Sequence, residues 1–327
     1  MNIFMIGTAH QYHQVEMAVR CFCLDKKDIY LLVEDLGVEK EFQDSLRSAG
    51  FGAVIFFKSW VFKDILMNPR FSKDFIAICR SIGLTFTSIN LYTSHYDSDY
   101  CLLADAILQP KKIFLMDEGT ASFETVIARR TRRGKNLRLF IKSLLYRVPI
   151  KSPSRITYFT KYHLKPKFPD DVWLYSDAKI DNPLVSVDED VVVVLGSSIV
   201  EVGLLRGFCY FELMKKVRLS YPGKSIRYYP HRKESIHKLQ KIKVMGFEII
   251  KNDQPFEKLY AALENVPHVI ASVYTSAVLD NLSARYNNLP DLVLYKFDDG
   301  LLLKNRDVYA DIFNHLMLND SLIIKEI

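Results

Sequence analysis

Cysteine is scarce in this sequence, and its distribution gives no sign of a disulfide or zinc framework. The chain of 327 residues holds five scattered cysteines and no CxxC pair. An odd number of scattered cysteines is typical of reduced core residues in a cytoplasmic protein. No apolar run approaches the ~18 residues of a membrane-spanning helix, and no signal peptide precedes the strand-like segment 2–6. These absences predict a cytoplasmic protein, either soluble or peripheral on the inner face of the cytoplasmic membrane.

Three common enzyme motifs are also missing. The sequence has no GxxxxGK[ST] loop, no GxGxxG after a strand and no GxSxG elbow, which argues against P-loop kinases, dinucleotide oxidoreductases and serine hydrolases. Metal ligands are poorly grouped, since His10 and His13 stand three apart without a Cys or His cluster. Asp97 and Asp99 form the D-x-D pattern of metal-dependent glycosyltransferases, but the two-block layout is not theirs, so we interpret them as a surface turn. We expect no metal and no cofactor.

The composition is that of a globular protein with enough material for two cores. Hydrophobic residues make up 49% and charged residues 25%, and the formal net charge is +6. So mild a positive charge suits an anionic small substrate, an anionic membrane or a nucleic acid, and it does not choose among them. At 327 residues, two domains are the natural expectation.

Strand-like apolar runs alternate with helical segments in both halves of the chain, which predicts βαβ units around parallel sheets. Between the halves, the acidic segment 176–190 contains Pro183 and lacks periodicity, as a linker does. We predict an α/β protein of the two-domain class called GT-B, with Rossmann-like domains at 1–175 and 190–327, a linker at 176–189 and ligands bound in a cleft between domains. The predicted strands cover residues 3–6, 29–33, 53–57, 86–92 and 112–116, then 191–195, 225–229, 247–250, 268–271 and 291–295.

One predicted strand of the first half ends in two adjacent acids. The apolar run that begins at Lys112 is followed at once by Asp117, Glu118 and Gly119. A carboxylate at the end of a buried strand destabilises the fold unless it is paired with a partner, solvated or part of a functional site. In α/β proteins, ligands bind at such strand ends. A helix cap would look much the same, so this stretch alone supports a catalytic and a capping interpretation equally.

Polar residues also follow four other predicted strands. We call the point at which the chain leaves a strand its exit. Within each half, the exits of parallel strands lie along one edge of the sheet, so these polar residues lie close together. Free N–H groups and hydroxyls at helix starts bind anions, although a single serine there is more often an ordinary N-cap. We expect helices to begin directly after both serine-rich exits of the second half, and a His and an Arg between those exits favour a phosphate site. The exits are Gly7-Thr8, Gly196-Ser197-Ser198, His231-Arg232 and Ser272 to Ser276.

A basic segment from Glu124 to Lys151 interleaves arginines with apolar residues at spacings of three and four. That pattern predicts a basic amphipathic helix. It could lie on an anionic membrane surface or present a solvated basic face on a packed helix. No nucleic-acid-binding signature accompanies the segment, so nucleic acid is not expected as a partner. The arginines assigned to the membrane surface are Arg129, Arg130, Arg132 and Arg133.

In order and spacing, these motifs resemble those of bacterial sialyltransferases with the GT-B fold. That family shares an [DE]-[DE]-G motif, a His-Pro motif, a ribose-contacting Glu and a later Ser/Thr motif. The size and short N terminus are most similar to the lipooligosaccharide sialyltransferases of glycosyltransferase family 52, with bacterial capsule polysialyltransferases as relatives. One departure is Arg232, which stands where the family has proline. The matching residues are Asp117-Glu118-Gly119, His231, Glu257, and Ser272 with Thr275-Ser276.

The resemblance implies inverting transfer of sialic acid from CMP-sialic acid to a sugar hydroxyl of a bacterial surface glycan, without a metal. Asp117 is implied as the base that takes the acceptor proton, with Glu118 and Gly119 in support. His231, as a cation, is implied as the donor to the departing phosphate. The other implied contacts are His10, Gln11 and Tyr12 for the acceptor, and Gly196, Ser197, Ser198, Arg232, Glu257, Ser272, Thr275 and Ser276 for CMP.

Three hypotheses stay open at this point. The first is a sialyltransferase that modifies a terminal galactose of lipooligosaccharide or capsule, held near its lipid-linked acceptor by the basic segment. The second is a capsule polysialyltransferase, or a transferase that uses another CMP-sugar such as CMP-Kdo. The third is a non-catalytic protein that binds an anionic membrane or a glycan. The acceptor, the linkage and the oligomeric state, including a homodimer, are not determined by the sequence.

Overall fold

The structure is a computed structural model, and its two units are each built around one parallel sheet. The units are Met1–Tyr175 and Ser176–Ile327. An α/β protein with two Rossmann-like domains is therefore confirmed. The residues that the structure describes are 1–35, 40–58, 70–117, 119, 121–130, 136–176, 179, 186–250 and 256–327.

The first unit holds a seven-stranded sheet in the order β3-β2-β1-β4-β5-β6-β7, in which neighbouring strands are parallel. Parallel strands are covered on both faces, and β1 is buried along its whole length. The order runs outward from β1 in both directions, as in the Rossmann fold. The strands are β1 Asn2–Ile6, β2 Ile29–Asp35, β3 Ala53–Lys58, β4 Asn90–Thr93, β5 Lys112–Met116, β6 Thr157–Thr160 and β7 Asp171–Leu174.

Helices connect these strands, and one of them begins earlier than the sequence predicts. The polar and aromatic character of residues 9–13 predicts a loop after the first strand, but the first helix begins at Ala9. Thr8 caps this helix, because its hydroxyl oxygen accepts a hydrogen bond from the Gln11 backbone N–H (3.2 Å). The described helices of this unit are α1 Ala9–Cys21, α2 Lys40–Ser48, α3 Arg70–Thr85, α4 Asp99–Leu108, α5 Ala121–Arg130 and α6 Asn136–Tyr146.

The basic segment forms two helices rather than one. Helix α5 ends at Arg130 and α6 begins at Asn136. Residues 131–135, which include the assigned Arg132 and Arg133, lie outside the described part of the chain. The single amphipathic face that the pattern suggested is therefore divided between two helices.

An aromatic stack holds the middle of the first sheet together. Phe4 on β1, Tyr92 on β4 and Phe114 on β5 are neighbours in register, and their rings stack with centroid distances of 4.1 and 4.6 Å. Each such pair stabilises the fold by ~0.5–1.5 kcal/mol beyond its burial. The stack fixes the spacing of the three strands, and so of the loops that follow them.

The second unit repeats the plan with six parallel strands in the order β10-β9-β8-β11-β12-β13. Strand β8 begins at Ser186, within the segment 176–189 that the sequence suggested as a linker. The first residues of β8 are mostly exposed and acidic, so they lack the apolar run of a buried strand. The elements are β8 Ser186–Leu195, α7 Gly207–Leu219, β9 Ser225–Tyr229, α8 Ile236–Val244, β10 Glu248–Ile249, α9 Phe256–Ala261, β11 Asn265–Val273, α10 Ala277–Arg285, β12 Asp291–Lys296, α11 Arg306–Met317 and β13 Leu322–Glu326.

The helix expected directly after Ser198 begins later, at Gly207. Residues 198–203 form turns instead, and the Val202 N–H donates to the Ser198 carbonyl (3.0 Å). This single helical turn is not continued into α7. Ser197 and Ser198 therefore stand at a turn after β8 and not at a helix start, which corrects the sequence-based prediction.

Candidate functional site

Each sheet has one point at which the strand order reverses, and Rossmann-like folds bind ligands at the carboxyl ends of the strands there. In the first unit this point lies between β1 and β4, and in the second between β8 and β11. The chain leaves these four strands at Gly7, Ser94, Gly196 and Tyr274. Each unit accordingly has a candidate site of its own.

Asp117 follows β5 directly and is buried, with 3% of its surface exposed. Its carboxylate accepts hydrogen bonds from the Ser122 hydroxyl (2.9 Å), the Lys161 backbone N–H (2.9 Å) and the Tyr175 hydroxyl (3.2 Å). Burial raises the pKa of Asp117 above its ordinary value, and hydrogen bonds from Thr160, Lys161 and Ser122 offset only part of the rise. Asp117 thus ties β5 to the segments after β6 and β7 while being a stronger base than an exposed aspartate.

The turn after Asp117 depends on a glycine. Gly119 has φ +62°, in the left-handed region that glycine enters without strain. Its carbonyl accepts a hydrogen bond from the Ser122 N–H (3.2 Å), which starts α5. Glu118, the second acid of the predicted pair, lies outside the described residues.

A small pocket lies where β1, β2 and β4 end, and it measures about 200 Å³ including the open space at its mouth. Gln11 lines it from α1, and the Gln11 side-chain oxygen accepts the Gly7 N–H (2.5 Å). Ser94 lines it after β4; the Ser94 hydroxyl is buried and has no hydrogen-bond partner among the described residues. His10 lies on α1, but its side chain is outside the described part of the structure.

Two further residues give this pocket a carboxylate wall. Glu34, at the end of β2, is half-buried and hydrogen-bonds with the Tyr100 hydroxyl. Burial, with the Glu34 carboxylate adding to it, raises the pKa of Tyr100, so the phenol keeps its proton. No Lys or Arg is among the described residues that line the pocket. His95 also lines the pocket beside the Glu34 carboxylate. With one carboxylate and no Lys or Arg among these residues, the pocket suits a neutral, hydroxyl-bearing group better than a phosphate.

In the second unit, His231 follows β9 and is half-buried. Its Nδ1 accepts the Lys233 backbone N–H (3.2 Å), so the neutral ring carries its proton on Nε2. Burial lowers the pKa of His231, and the positive charges of Arg232, Lys233 and Lys238 lower it further. The resting ring is thus neutral at pH 7, where a cation was expected, and it still has one N–H to donate. Arg232 is exposed beside it.

Glu234 fixes this loop against the end of β8. Its Oε2 accepts the His231 backbone N–H (2.8 Å), and its Oε1 accepts the Tyr228 hydroxyl (2.7 Å). A Cβ on Gly196 would lie 2.1 Å from Glu234 Oε2 and 2.8 Å from His231 N, so only glycine fits there. The Gly196 N–H also donates to the Tyr229 carbonyl (2.7 Å). Two of the predicted motifs, Gly196 and His231, are therefore in contact.

Lys238, on α8, completes this contact as the cation of a buried ion pair. Its ammonium lies 2.6 Å from Glu234 Oε1 and is 3% exposed. The same group donates to the Ser197 carbonyl (2.5 Å) and lies 3.8 Å from the centre of the Tyr210 ring. One ion pair thus holds both the Ser197 loop and the His231 loop, and we call Glu234 with Lys238 the brace.

The serine motif after β11 is only partly where the sequence placed it. Ser272 lies inside β11 and is 2% exposed, so it is not at a helix start. Ser276 is the N-cap of α10, and its hydroxyl oxygen accepts the Leu279 N–H (3.2 Å). Thr275 is half-buried just before it. The first turn of α10 therefore opens at the β8/β11 edge, where its N–H groups favour an anion.

Tyr274, which the sequence did not single out, shapes this edge. It has φ +71°, a backbone region that is strained for a bulky residue. Its hydroxyl donates to Asp299 (2.6 Å), and its ring stacks on Phe297 at 4.3 Å. Strain of this kind persists only where surrounding contacts hold it, and it clusters at functional loops.

Two other predicted residues have partners of their own. Glu257, on α9, accepts a hydrogen bond from the Asn281 side chain (2.9 Å), so one of its oxygens is engaged. Arg129 is not free for a membrane surface, because its guanidinium binds Asp170 at 2.5 and 2.7 Å and is 10% exposed. This corrects the assignment of Arg129. The side chain of Arg130 lies outside the described residues.

The D-x-D pattern is not a simple surface turn. Asp99 begins α4 after the N-cap Ser98, and its carboxylate pairs with the buried Lys142. Within the described ranges, no group of three or more His, Cys, Asp or Glu side chains is placed to hold a metal ion.

Sequence reasoning missed the brace and the pocket for different reasons. Glu234 and Lys238 form an i,i+4 pair in a basic stretch, a pattern that ordinarily marks a solvated helix face. Their proximity to His231 was the available signal. Glu34 and Ser94 follow predicted strands, so the rule that located Asp117 would also have located them.

The chain is similar to known proteins in its fold but not detectably in its sequence. The sequence matches no protein-family model and no curated protein. A UDP-GlcNAc 2-epimerase from Methanocaldococcus jannaschii is similar over 100% of this chain and 89% of its own, with 11% identity and a TM-score of 0.54. A sialyltransferase GT-B domain from Photobacterium damselae matches over 100% of both chains, with 9% identity and a TM-score of 0.48. The similarity to the M. jannaschii protein shows a shared fold. In this chain that fold consists of two Rossmann-like domains, as the sequence predicted.

Proposed function

We propose that this protein is an inverting, metal-independent sialyltransferase. It would move sialic acid from CMP-sialic acid to a hydroxyl, most simply of a terminal galactose, on a bacterial surface glycan such as lipooligosaccharide or capsule. The observation that carries the proposal is the contact of His231 with Gly196, fixed by Glu234 at the carboxyl edge of the second sheet. A close-packed glycine, a histidine N–H and a nearby helix start are the groups that a nucleotide phosphate needs.

On the donor side, negative charge builds on the CMP phosphate as its oxygen leaves the anomeric carbon of sialic acid. His231 donates to that phosphate from Nε2, since Nδ1 is held by the Lys233 N–H. The arriving anion raises the pKa of the ring, so His231 takes up a proton on donor binding. Thr275 and the first N–H groups of α10 add donors. Together these groups stabilise the negative charge of the leaving phosphate, which a metal ion stabilises in other glycosyltransferases.

On the acceptor side, Asp117 removes the proton of the attacking hydroxyl. A raised pKa brings the carboxylate closer to the pH of the cytoplasm, which favours this transfer. The acceptor hydroxyl has to displace one of the donors that Asp117 now binds. Tyr175 is the expected one, because its single hydroxyl proton is shared between Asp117 (3.2 Å) and Gln14 (2.9 Å).

The rest of the acceptor sugar is assigned to the pocket beside Asp117. Strands β4 and β5 are neighbours in which Thr93 pairs with Leu115, so Ser94 follows β4 opposite Met116, one residue before Asp117. The unpartnered Ser94 hydroxyl and the Glu34 carboxylate would bind hydroxyl groups of a neutral sugar. The enclosed part of the pocket has room for about one water-sized group, which fits one hydroxyl arm of the acceptor.

The decisive experiment incubates the full chain with CMP-sialic acid, alone and with lactose, N-acetyllactosamine or oligosialic acid, and reads the linkage by NMR. We expect slow donor hydrolysis without acceptor and transfer to the galactose-terminated sugars. Transfer to oligosialic acid alone would identify a capsule polysialyltransferase, and turnover of CMP-Kdo in its place would identify that donor. UDP-GlcNAc is the control donor, because the M. jannaschii protein of similar fold is named for it.

Asp117→Ala tests the acceptor-side assignment. We expect transfer to fall by about the 10²–10⁴-fold that a general base supplies, while CMP binding, which we assign to the second unit, stays near wild type. Loss of CMP binding in this variant would remove Asp117 from the role of base. If the wild-type protein neither hydrolyses nor transfers sialic acid but binds vesicles, the non-catalytic hypothesis replaces this one.

We further propose that the protein works in the cytoplasm, at the inner face of the cytoplasmic membrane where lipid-linked glycans are built. The basic segment from Glu124 to Lys151 supports this location. Among the described residues, none of the helices is both long and apolar enough to span a bilayer.

A further inference from the structure

Helix α6 packs with polar side chains inward. Lys142 is 2% exposed, and its ammonium pairs with the Asp99 carboxylate on α4. The Tyr146 hydroxyl donates to the same carboxylate (2.7 Å). Ser143 holds the chain that follows, because its hydroxyl oxygen accepts the Ile150 N–H (2.9 Å). A surface helix ordinarily does the opposite and turns its apolar stripe to the core.

The outward side of α6 is consequently apolar. Its five large side chains recur at i, i+3, i+4, i+7 and i+8, so they share one face of the helix. A contiguous exposed apolar patch of this kind marks a protein or membrane interaction site. We call these residues the α6 face; their exposed fractions are Leu137 70%, Phe140 60%, Ile141 43%, Leu144 64% and Leu145 42%.

The charge around the α6 face indicates what covers it. From Thr125 to Pro169 the sequence has 13 Lys or Arg residues and no Asp or Glu. Arg138, Arg147 and Lys151 are exposed on and just after the helix. An apolar stripe whose neighbours along the sequence carry only positive charge is typical of a helix that lies in the surface of an anionic bilayer. A second copy of the chain fits less well, because a two-fold contact would bring the same cations together.

We propose that α6 lies in the interface of an anionic bilayer, with the α6 face among the acyl chains and the flanking cations on the lipid phosphates. The buried pair of Lys142 and Asp99 holds the helix in this orientation. The membrane contact thereby moves from Arg129, Arg130, Arg132 and Arg133, of which Arg129 is engaged by Asp170, to the apolar residues of α6. It does not depend on sialyl transfer.

Vesicle flotation with the full chain tests the proposal. Wild-type protein is expected to float with vesicles of phosphatidylcholine and phosphatidylglycerol, and more than tenfold less with phosphatidylcholine alone. The triple variant Leu137→Ser, Phe140→Ser, Leu144→Ser should bind the anionic vesicles at least tenfold more weakly. Arg138→Gln with Arg147→Gln should weaken binding by about fivefold per residue, since each cation near the surface contributes ~1 kcal/mol.

The control triple variant is Leu84→Ser, Phe168→Ser, Val244→Ser, whose parent residues are 91%, 91% and 89% exposed outside the α6 face. It should float like wild type. The midpoint of urea-induced unfolding, measured for all variants, checks folding without relying on the proposed function. Failure of wild-type protein to bind anionic vesicles overturns the proposal. So does a wild-type dimer in sedimentation that becomes a monomer in the α6 variant while vesicle binding is unchanged, because a second copy then covers the face.

Discussion

At the scale of single residues, Gly196 has the least room for a Cβ among the glycines compared in the second unit. A Cβ there would meet Glu234 Oε2 at 2.1 Å and His231 N at 2.8 Å. Because one of these atoms is backbone, Gly196→Ala has to displace the His231 loop. We expect CMP affinity to fall by at least tenfold and the protein to lose stability in urea-induced unfolding.

Gly207→Ala is the matched control for that variant. Gly207 begins α7, and its Cβ would make only ordinary contacts, at 3.7 Å to Val200 and 3.8 Å to Phe211. Alanine in a helix is more stable than glycine by ~0.5–1 kcal/mol, so this variant should keep CMP affinity and gain slightly in stability. Wild-type CMP affinity in Gly196→Ala would show that the β8 exit is not part of the donor site.

His231 should make donor binding dependent on pH. Its pKa is lowered from the ordinary histidine value, by burial first and by neighbouring cations second. The free ring is therefore neutral above its lowered pKa, and a bound phosphate raises that pKa again. CMP binding should take up protons between the lowered pKa of the free ring and its raised pKa beside phosphate, and it should tighten as the pH falls through that range. Calorimetry in two buffers of different ionisation enthalpy measures the uptake.

His231→Gln keeps a side-chain donor but cannot titrate, so it should bind CMP without this proton uptake. His237→Gln, on an exposed position of α8, is the control and should retain it. Equal proton uptake in wild type and His231→Gln would assign the linkage to another group.

At the scale of elements, the brace ties α8 to the ends of β8 and β9. Lys238→Met leaves the Glu234 carboxylate buried and unpaired, which costs about 3–5 kcal/mol in comparable sites. Glu234→Gln in the same chain removes that charge. The double variant should therefore recover a large part of the lost free energy of unfolding, measured with urea. Additive losses would mean that the two groups do not act as a pair.

The limits of prediction are also clearest at this scale. Apolar runs located β1, β5 and the second half of β8, because strands buried on both faces must be apolar throughout. Strand β7, with the sequence DVWL, is largely exposed at the sheet edge and carries no such signal. The predicted start of a helix was wrong where a capping side chain sets it. Thr8, for example, caps α1, which begins at Ala9.

Some residues of the candidate site could likewise be predicted from the sequence, and others could not. Asp117 and His231 follow apolar strands, so their positions at a sheet edge could be predicted. The brace could not, because burial of Glu234 and Lys238 comes from the packing of Tyr210, Tyr228 and the β8 turn around them. The orientation of α6 was equally hidden, since its pattern of apolar and basic residues fits a face turned inward or outward.

At the scale of the whole molecule, the two units share the same order of their first six strands. They differ in the residues that lie at the point where this order reverses. The first has a carboxylate-walled pocket without Lys or Arg among its described lining residues. The second has a glycine, a histidine and a helix start. The proposed transfer therefore assigns the neutral acceptor to the first unit and the anionic donor to the second.

Hydrogen exchange of the full chain tests this division of labour. Ligand at 100 times its dissociation constant stabilises the state that binds it by ~2.7 kcal/mol, enough to slow exchange of the contacted loops. CMP should slow residues 196–206, 231–235 and 274–279, and lactose should slow residues 94–100. The variant Ser94→Val, which fills the small pocket, should lose the lactose effect and keep the CMP effect. Protection of residues 94–100 by CMP itself would contradict the assignment, because no Lys or Arg is among the described residues that line this pocket.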